Sequence, residues 1–225
     1  MRKFVAYILL VAPFYFGTAV CADAPNEVTV TIGADQFVMP VPVGFCVPVT
    51  AEDKAVEQMT AAIDTHNVTV ATFMACGREG VAPMKDYVLV KVPTQALMAK
   101  LEKVDTLNQI ERAVAAPKFA NMGPTIKQEV EKSAGKVIGG KTEFTGDFGY
   151  RGRDADCIYF GGRMNVSVAT AGLADSGFNG SCGSVVGGKY LVVHVYDFTP
   201  TGKVSELMEQ ARQIMLSMHP LAKAH

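Results

Sequence analysis

Four cysteines, Cys46, Cys76, Cys157 and Cys182, set the tightest limit on what this chain can fold into, because they follow a segment that reads as an export signal. Met1-Arg2-Lys3 supplies a positive start, Phe4–Val20 an apolar run, and Val20-Cys21-Ala22 a small-residue cleavage site ahead of Asp23. The apolar run carries Pro13 and falls short of the roughly 20 residues that span a bilayer, so cleavage is favoured over a retained anchor. Thr18-Ala19-Val20 also lacks the leucine-like residue expected three positions before a lipid-bearing cysteine. The expectation is a signal over residues 1–22 and a soluble mature protein that is periplasmic or secreted, meeting the membrane only through that signal.

In an oxidising compartment an even number of cysteines reads as disulfides, each contributing about 2–4 kcal/mol by constraining the unfolded chain. Four cysteines allow three pairings, and joining neighbouring segments within each half of the chain favours Cys46–Cys76 and Cys157–Cys182. Metal binding is the competing reading, but no close Cys/His pair supports it, and no metal or cofactor is expected. Redox catalysis lacks its usual Cys-x-x-Cys spacing.

Of 21 basic residues, Arg2 and Lys3 leave with the signal, so 19 face 22 acidic ones; no nucleic-acid partner follows from that balance. About 200 mature residues can bury one good core. A single domain over residues 23–220 is expected, with a helical insertion at about 94–136 and a tail at 221–225.

Val28–Ile32 alternates apolar and polar residues, Gly33-Ala34-Asp35 turns the chain, and Phe37–Val43 returns as a second extended run. Pro40 and Pro42 lack backbone donors, which predicts that this run is an edge strand or leaves the sheet early. Thr50-Ala51-Glu52-Asp53 has the form of a capping box before helical spacing at Val56, Met59, Ala62 and Ile63, predicting a helix over 51–64. Strands are predicted at 67–74 and 87–92. From Thr94 the stripe Leu97, Met98, Leu101, Val104, Leu107 and Ile110 predicts a long helix, and 126–133 a second helical piece before Gly135. Beyond Lys141 the pattern changes to strands at 143–150, 156–160, 164–170 and 190–198, separated by glycine-rich turns. A last helix at 203–218 would pack through Val204, Leu207, Met208, Ala211, Met215 and Met218.

Strands and helices partly segregate in this order, which argues for an α+β fold: a mainly antiparallel sheet covered by helices. The opening hairpin, the apolar segment ending Pro42-Val43-Gly44-Phe45-Cys46 and the capped helix after it are similar to the start of PsbP-like α/β/α sandwich domains. The Tyr159-Phe160-Gly161-Gly162 segment, read as a hairpin, and Gly188–Val193 before the last helix resemble that group too. The resemblance covers most of the mature chain and implies an assembly factor or binding module more often than an enzyme. Fold alone does not fix function.

His194 is the weak catalytic candidate. Alternation in Leu191–Tyr196 places it opposite Val193 and Val195, where a neutral-range imidazole could act as a base with Asp197 or a nearby hydroxyl, or simply hold a structural hydrogen bond. Asp175-Ser176-Gly177 is one aspartic-protease-like element where two are needed. Gly180-Ser181-Cys182-Gly183 fails the serine-hydrolase spacing because residue 179 is Asn. The glycines at 161–162 and 187–188 lead into strands and read as hairpin turns, not phosphate loops. Phe119 and Met122, in the loop 117–124, are a candidate contact spot. The leading expectation is an exported, non-enzymatic binding or accessory protein whose partner is an envelope protein or small ligand. A small periplasmic hydrolase using His194 and a structural subunit of a surface assembly are the alternatives.

Overall fold

The computed structural model describes residues 25–49, 54, 57, 58, 60, 61, 63–77, 86–116, 127–129, 131–137, 140–168 and 173–222. The segment 1–22, the capping box at 50–53 and the Phe119/Met122 loop lie outside the described residues.

The alternating run at the start forms strands β1 (Glu27–Ile32) and β2 (Asp35–Pro40), paired in the register Ile32↔Asp35 with a two-residue turn between them. Gly33 sits at φ +63°, and a Cβ there would come within 2.5 Å of the Leu97 carbonyl oxygen, so both backbone and space call for glycine. β2 does leave at Pro40, as the missing donor predicts, but it is not an edge. A last short strand, His219–Pro220, pairs with Phe37 and Val38, making β2 the middle of a three-stranded sheet. Ile32, Phe37 and Met39 point into the core from this layer.

The larger sheet has eight antiparallel strands. β3 (Phe45–Cys46) lies outside β4 (Asn67–Ala75), followed by β5 (Tyr87–Pro93) and then by β10 (Lys189–Asp197), β9 (Leu173–Val186) and β8 (Ile158–Val168). β6 (Thr142–Gly146) pairs with the second half of β8, and β7 (Gly149–Arg153) with its first half. Gly187 and Gly188, both at positive φ, make the tight β9–β10 turn expected of them.

β9 corrects the sequence reading most. Asp175-Ser176-Gly177 and Gly180-Ser181-Cys182-Gly183 were expected in turns, and instead run through a 14-residue central strand. The glycines are small because neighbours press on the backbone. A Cβ on Gly180 would lie 2.5 Å from the Leu207 Cβ, and one on Gly183 would lie 2.3 Å from the Tyr190 hydroxyl. Likewise Gly161 and Gly162 are interior to β8, under Val204 and beside Asp147 and Phe148, not in a hairpin turn.

Helix α2 (Val204–Ser217) packs Leu207, Ala211, Ile214 and Met215 onto one face of the sheet, joined by Met218 and by Phe73, Val88, Val90, Val193 and Val195. Helix α1 (Lys103–Ala115) serves the other face, where Tyr150 and Arg153 reach Glu111 and Asn108. Described residues between 127 and 137 are helical, and the Glu131 carboxylate accepts the Phe144 amide proton at 2.8 Å, capping the outer edge of β6. The long helix expected from Thr94 begins only at Lys103. The buried Lys189 ammonium donates to the carbonyls of Leu97 (2.9 Å) and Ala99 (3.1 Å), and the Leu101 amide donates to the Gly188 carbonyl; these groups are thus withdrawn from any helical ladder. Met98 and Val104, assigned to the buried stripe, are accordingly 75% and 62% exposed, while Leu107 is fully buried. The fold is α+β, with mainly antiparallel sheets covered by helices. No helix among the described residues is long and apolar enough to cross a membrane.

Candidate functional site around His194

Alternation along β10 decides which face of the sheet each side chain serves. Leu191, Val193 and Val195 enter the core under α2, so His194 and Tyr196 project to the other side. The antiparallel registers bring Leu89, Ser181 and Phe160 into one row with His194, and Tyr87 and Asn179 into a row with Tyr196.

The polar atoms in these rows form a closed chain. The Asn179 side-chain amide donates to the Val195 carbonyl at 3.1 Å, which fixes its orientation and leaves its Oδ1 as an acceptor facing Ser181. The Ser181 hydroxyl has one proton and gives it to that oxygen at 2.8 Å. Ser181 Oγ is also 2.8 Å from His194 Nδ1, and with the hydroxyl proton spent the bond forms only if Nδ1 carries the hydrogen. The imidazole is thus held as the Nδ1–H tautomer, and Nε2 is left as an acceptor with no hydrogen-bond partner among the described residues. Burial, helped by the Lys91 charge and opposed by Asp64, pushes its pKa down to about 3, so it is neutral at physiological pH.

A charged pair lies beside it. Lys91 Nζ donates to Asp64 Oδ2 at 2.7 Å, with the lysine side chain 8% exposed and the aspartate 27%. Asn67 donates to both oxygens of the same carboxylate at 3.0 Å. Burial raises the Asp64 pKa, but the bonds from Lys91 and Asn67 outweigh it and hold the group below its usual range. Tyr87 and Tyr196 stack with ring centroids 4.4 Å apart, and His194 stacks beyond Tyr196 at 6.2 Å. Both phenols are held above their ordinary pKa, chiefly by burial. Two hydroxyls nearby, on Thr69 and Thr72, are buried without a partner among the described residues.

This arrangement can accept a hydrogen bond at Nε2 and offer an aromatic and a charged flank. As arranged, Ser181 and His194 do not form a nucleophile–base pair. Ser181 is completely buried and its proton points away from His194. Asp197, the carboxylate considered as a partner for His194, falls on the opposite face and accepts the Thr199 amide proton at 2.7 Å. Asp175 caps the amide of its own neighbour Ser176 at 2.8 Å. The sequence singled out His194 but not Asp64, Asn67, Lys91, Asn179 or the two tyrosines. Lys91 within Val90-Lys91-Val92 reads as an ordinary outward charge, and its partner lies 27 positions away.

The cysteines pair as Cys46–Cys76 and Cys157–Cys182, with Cα separations of 5.2 and 5.4 Å. Among the described residues, no three or more His, Cys, Asp or Glu side chains gather as a metal site would need.

No family model matches the sequence, and no curated protein matches it. Among solved structures the chain is similar to the solution structure of cyanobacterial PsbP (CyanoP) from Synechocystis sp. PCC 6803, at 9% identity and a TM-score of 0.40, over 92% of this chain and 99% of that one.

Proposed function

We propose that this is an exported, non-enzymatic binding or accessory protein of the cell envelope, which recognises a protein or small ligand through the sheet face bearing His194. The observation that carries this reading is the closed Asn179–Ser181–His194 chain. It spends the serine proton inside the protein and leaves a neutral, orientation-locked imidazole whose remaining function is to accept a hydrogen bond. Such a group suits recognition, where a fixed acceptor rewards the right donor, better than proton transfer near neutrality, which wants a pKa close to the working pH. Two disulfides fit an oxidising compartment, in keeping with the export signal read at residues 1–22.

Affinity capture with the tagged protein from its own envelope extract tests the reading. A specific partner or ligand retained by the unmodified protein and lost from His194→Ala is expected. Turnover of an ester, amide or phosphoester substrate that disappears in His194→Ala, with no specific partner recovered, would overturn it in favour of the hydrolase.

A further inference from the structure

We infer that Cys46–Cys76 is a thiol-exchangeable bond that latches strand β3 to the sheet edge, whereas Cys157–Cys182 is a permanent part of the core. The two bonds differ in access. Cys157 and Cys182 are both fully buried and sit in the main hydrophobic cluster beside α2. Cys46 is only half-buried and Cys76 is exposed. Thiol–disulfide exchange requires a thiolate to approach one sulfur along the S–S axis, so the reagent reaches the outer bond and not the inner one while the protein stays folded.

They differ also in what they hold. Among the described residues β3 is the edge strand at one end of the eight, with Phe45↔Ala75 and Cys46↔Met74 in register, and with the Cys76 amide donating to the Gly44 carbonyl. Its turn carries Val43, 97% exposed. The segment borders the core without entering it fully: Phe45 and Val47 pack against the main cluster and are only half-buried. Opening the bond therefore loosens an edge segment at the margin of the core, and uncovers backbone groups of β4 at Met74 and Ala75. Opening Cys157–Cys182 would instead break a cross-link inside the core and leave two thiols in the main cluster.

The co-reactant is a dithiol. One of its thiolates attacks Cys76 Sγ, the Cys46–Cys76 bond breaks, and Cys46 leaves as a thiolate that takes up a proton. The second thiol then attacks the mixed disulfide and releases Cys76 as a thiol, so the dithiol ends as a disulfide and the protein gains two thiols.

The test is graded dithiothreitol on the folded protein without denaturant, with alkylation of free thiols and peptide mass mapping. Cys46 and Cys76 should be labelled at reagent concentrations at least tenfold below those that label Cys157 and Cys182. Hydrogen exchange on the selectively reduced protein should rise at residues 43–47 and 74–77 while β5, β9 and β10 keep their protection. Simultaneous labelling of all four cysteines, earlier labelling of the inner pair, or no labelling short of denaturant would each overturn the assignment. A rise in exchange spreading through β5, β9 and β10 would overturn the latch.

Discussion

His194 illustrates how one side chain can carry a pH dependence that ordinary surface histidines do not. Its folded pKa lies near 3 and its unfolded value near 6.5, so the native state binds fewer protons between them. The associated stability is fully present above pH 6.5 and drains away as the pH falls toward 3. Carboxylates held low, such as Asp64 and Asp154, add their own losses only below about pH 4.5. Between pH 6.5 and 4.5 the fall in urea midpoint should therefore come mainly from His194, and His194→Gln should flatten it; an unchanged slope would show that the imbalance lies elsewhere. Lys189 is a buried cation held by two carbonyls and by the Asp35 carboxylate at 3.6 Å. Replacing it with Met leaves the Leu97 and Ala99 oxygens without their donor and should cost about 2–3 kcal/mol in chemical denaturation, with faster hydrogen exchange over residues 97–101. At this scale the position of His194 was legible from strand alternation alone. The companions of His194 were not, because Asp64, Asn67 and Asn179 come to it through tertiary pairing that no local pattern records.

Among the elements, β1, β10 and α2 could be read because their apolar residues repeat at intervals of 2 or 3.6, and β2 and β5 because they are short, nearly continuous apolar runs. β9 could not. Its sequence, Leu-Ala-Asp-Ser-Gly-Phe-Asn-Gly-Ser-Cys-Gly-Ser-Val-Val, has almost no large apolar residue to mark a face, and its composition is that of a turn. The cause is mechanical: neighbours press on the strand from both faces, α2 at Gly180, Tyr190 at Gly183 and Phe198 at Gly177. Gly180→Ala places a methyl 2.5 Å from both the Leu207 Cβ and the Met208 nitrogen. It should destabilise by about 1–3 kcal/mol, as overpacking does, read as a lower midpoint in urea with an unchanged slope. α1 was misread in the reverse direction. Its apolar stripe extends back to Leu97, but Lys189 and Gly188 claim the backbone there, so tertiary hydrogen bonds overrode a valid local signal.

For the molecule as a whole, the two disulfides close loops of similar length, with sequence separations of 30 and 25. Chain entropy alone assigns each about 3.5 kcal/mol. The structure separates them nonetheless. Replacing Cys46 and Cys76 together with Ser should cost about that entropic amount, because serine at an exposed edge is easily solvated. The same replacement at Cys157 and Cys182 also buries two hydroxyls in the apolar cluster, and should cost at least about 2 kcal/mol more. Equal thermal or urea stabilities of the two double variants would contradict that ordering. The α+β class followed from the segregation of strands and helices, whereas the division into a small three-stranded and a large eight-stranded sheet did not, since it depends on His219–Pro220 returning to β2 across the length of the chain.

That return has a mechanical consequence. β1 and the strand His219–Pro220 both run antiparallel to β2 and flank it, so the two flanks of the described chain depart from the same small sheet. Tension drawn between Asn26 and Leu221 runs through β2 as shear along the strands. The ladder of His219↔Val38 and Pro220↔Phe37, much the shorter of the two, is the link that slips first. Until it does, the eight-stranded sheet with the His194 face stays outside the load path.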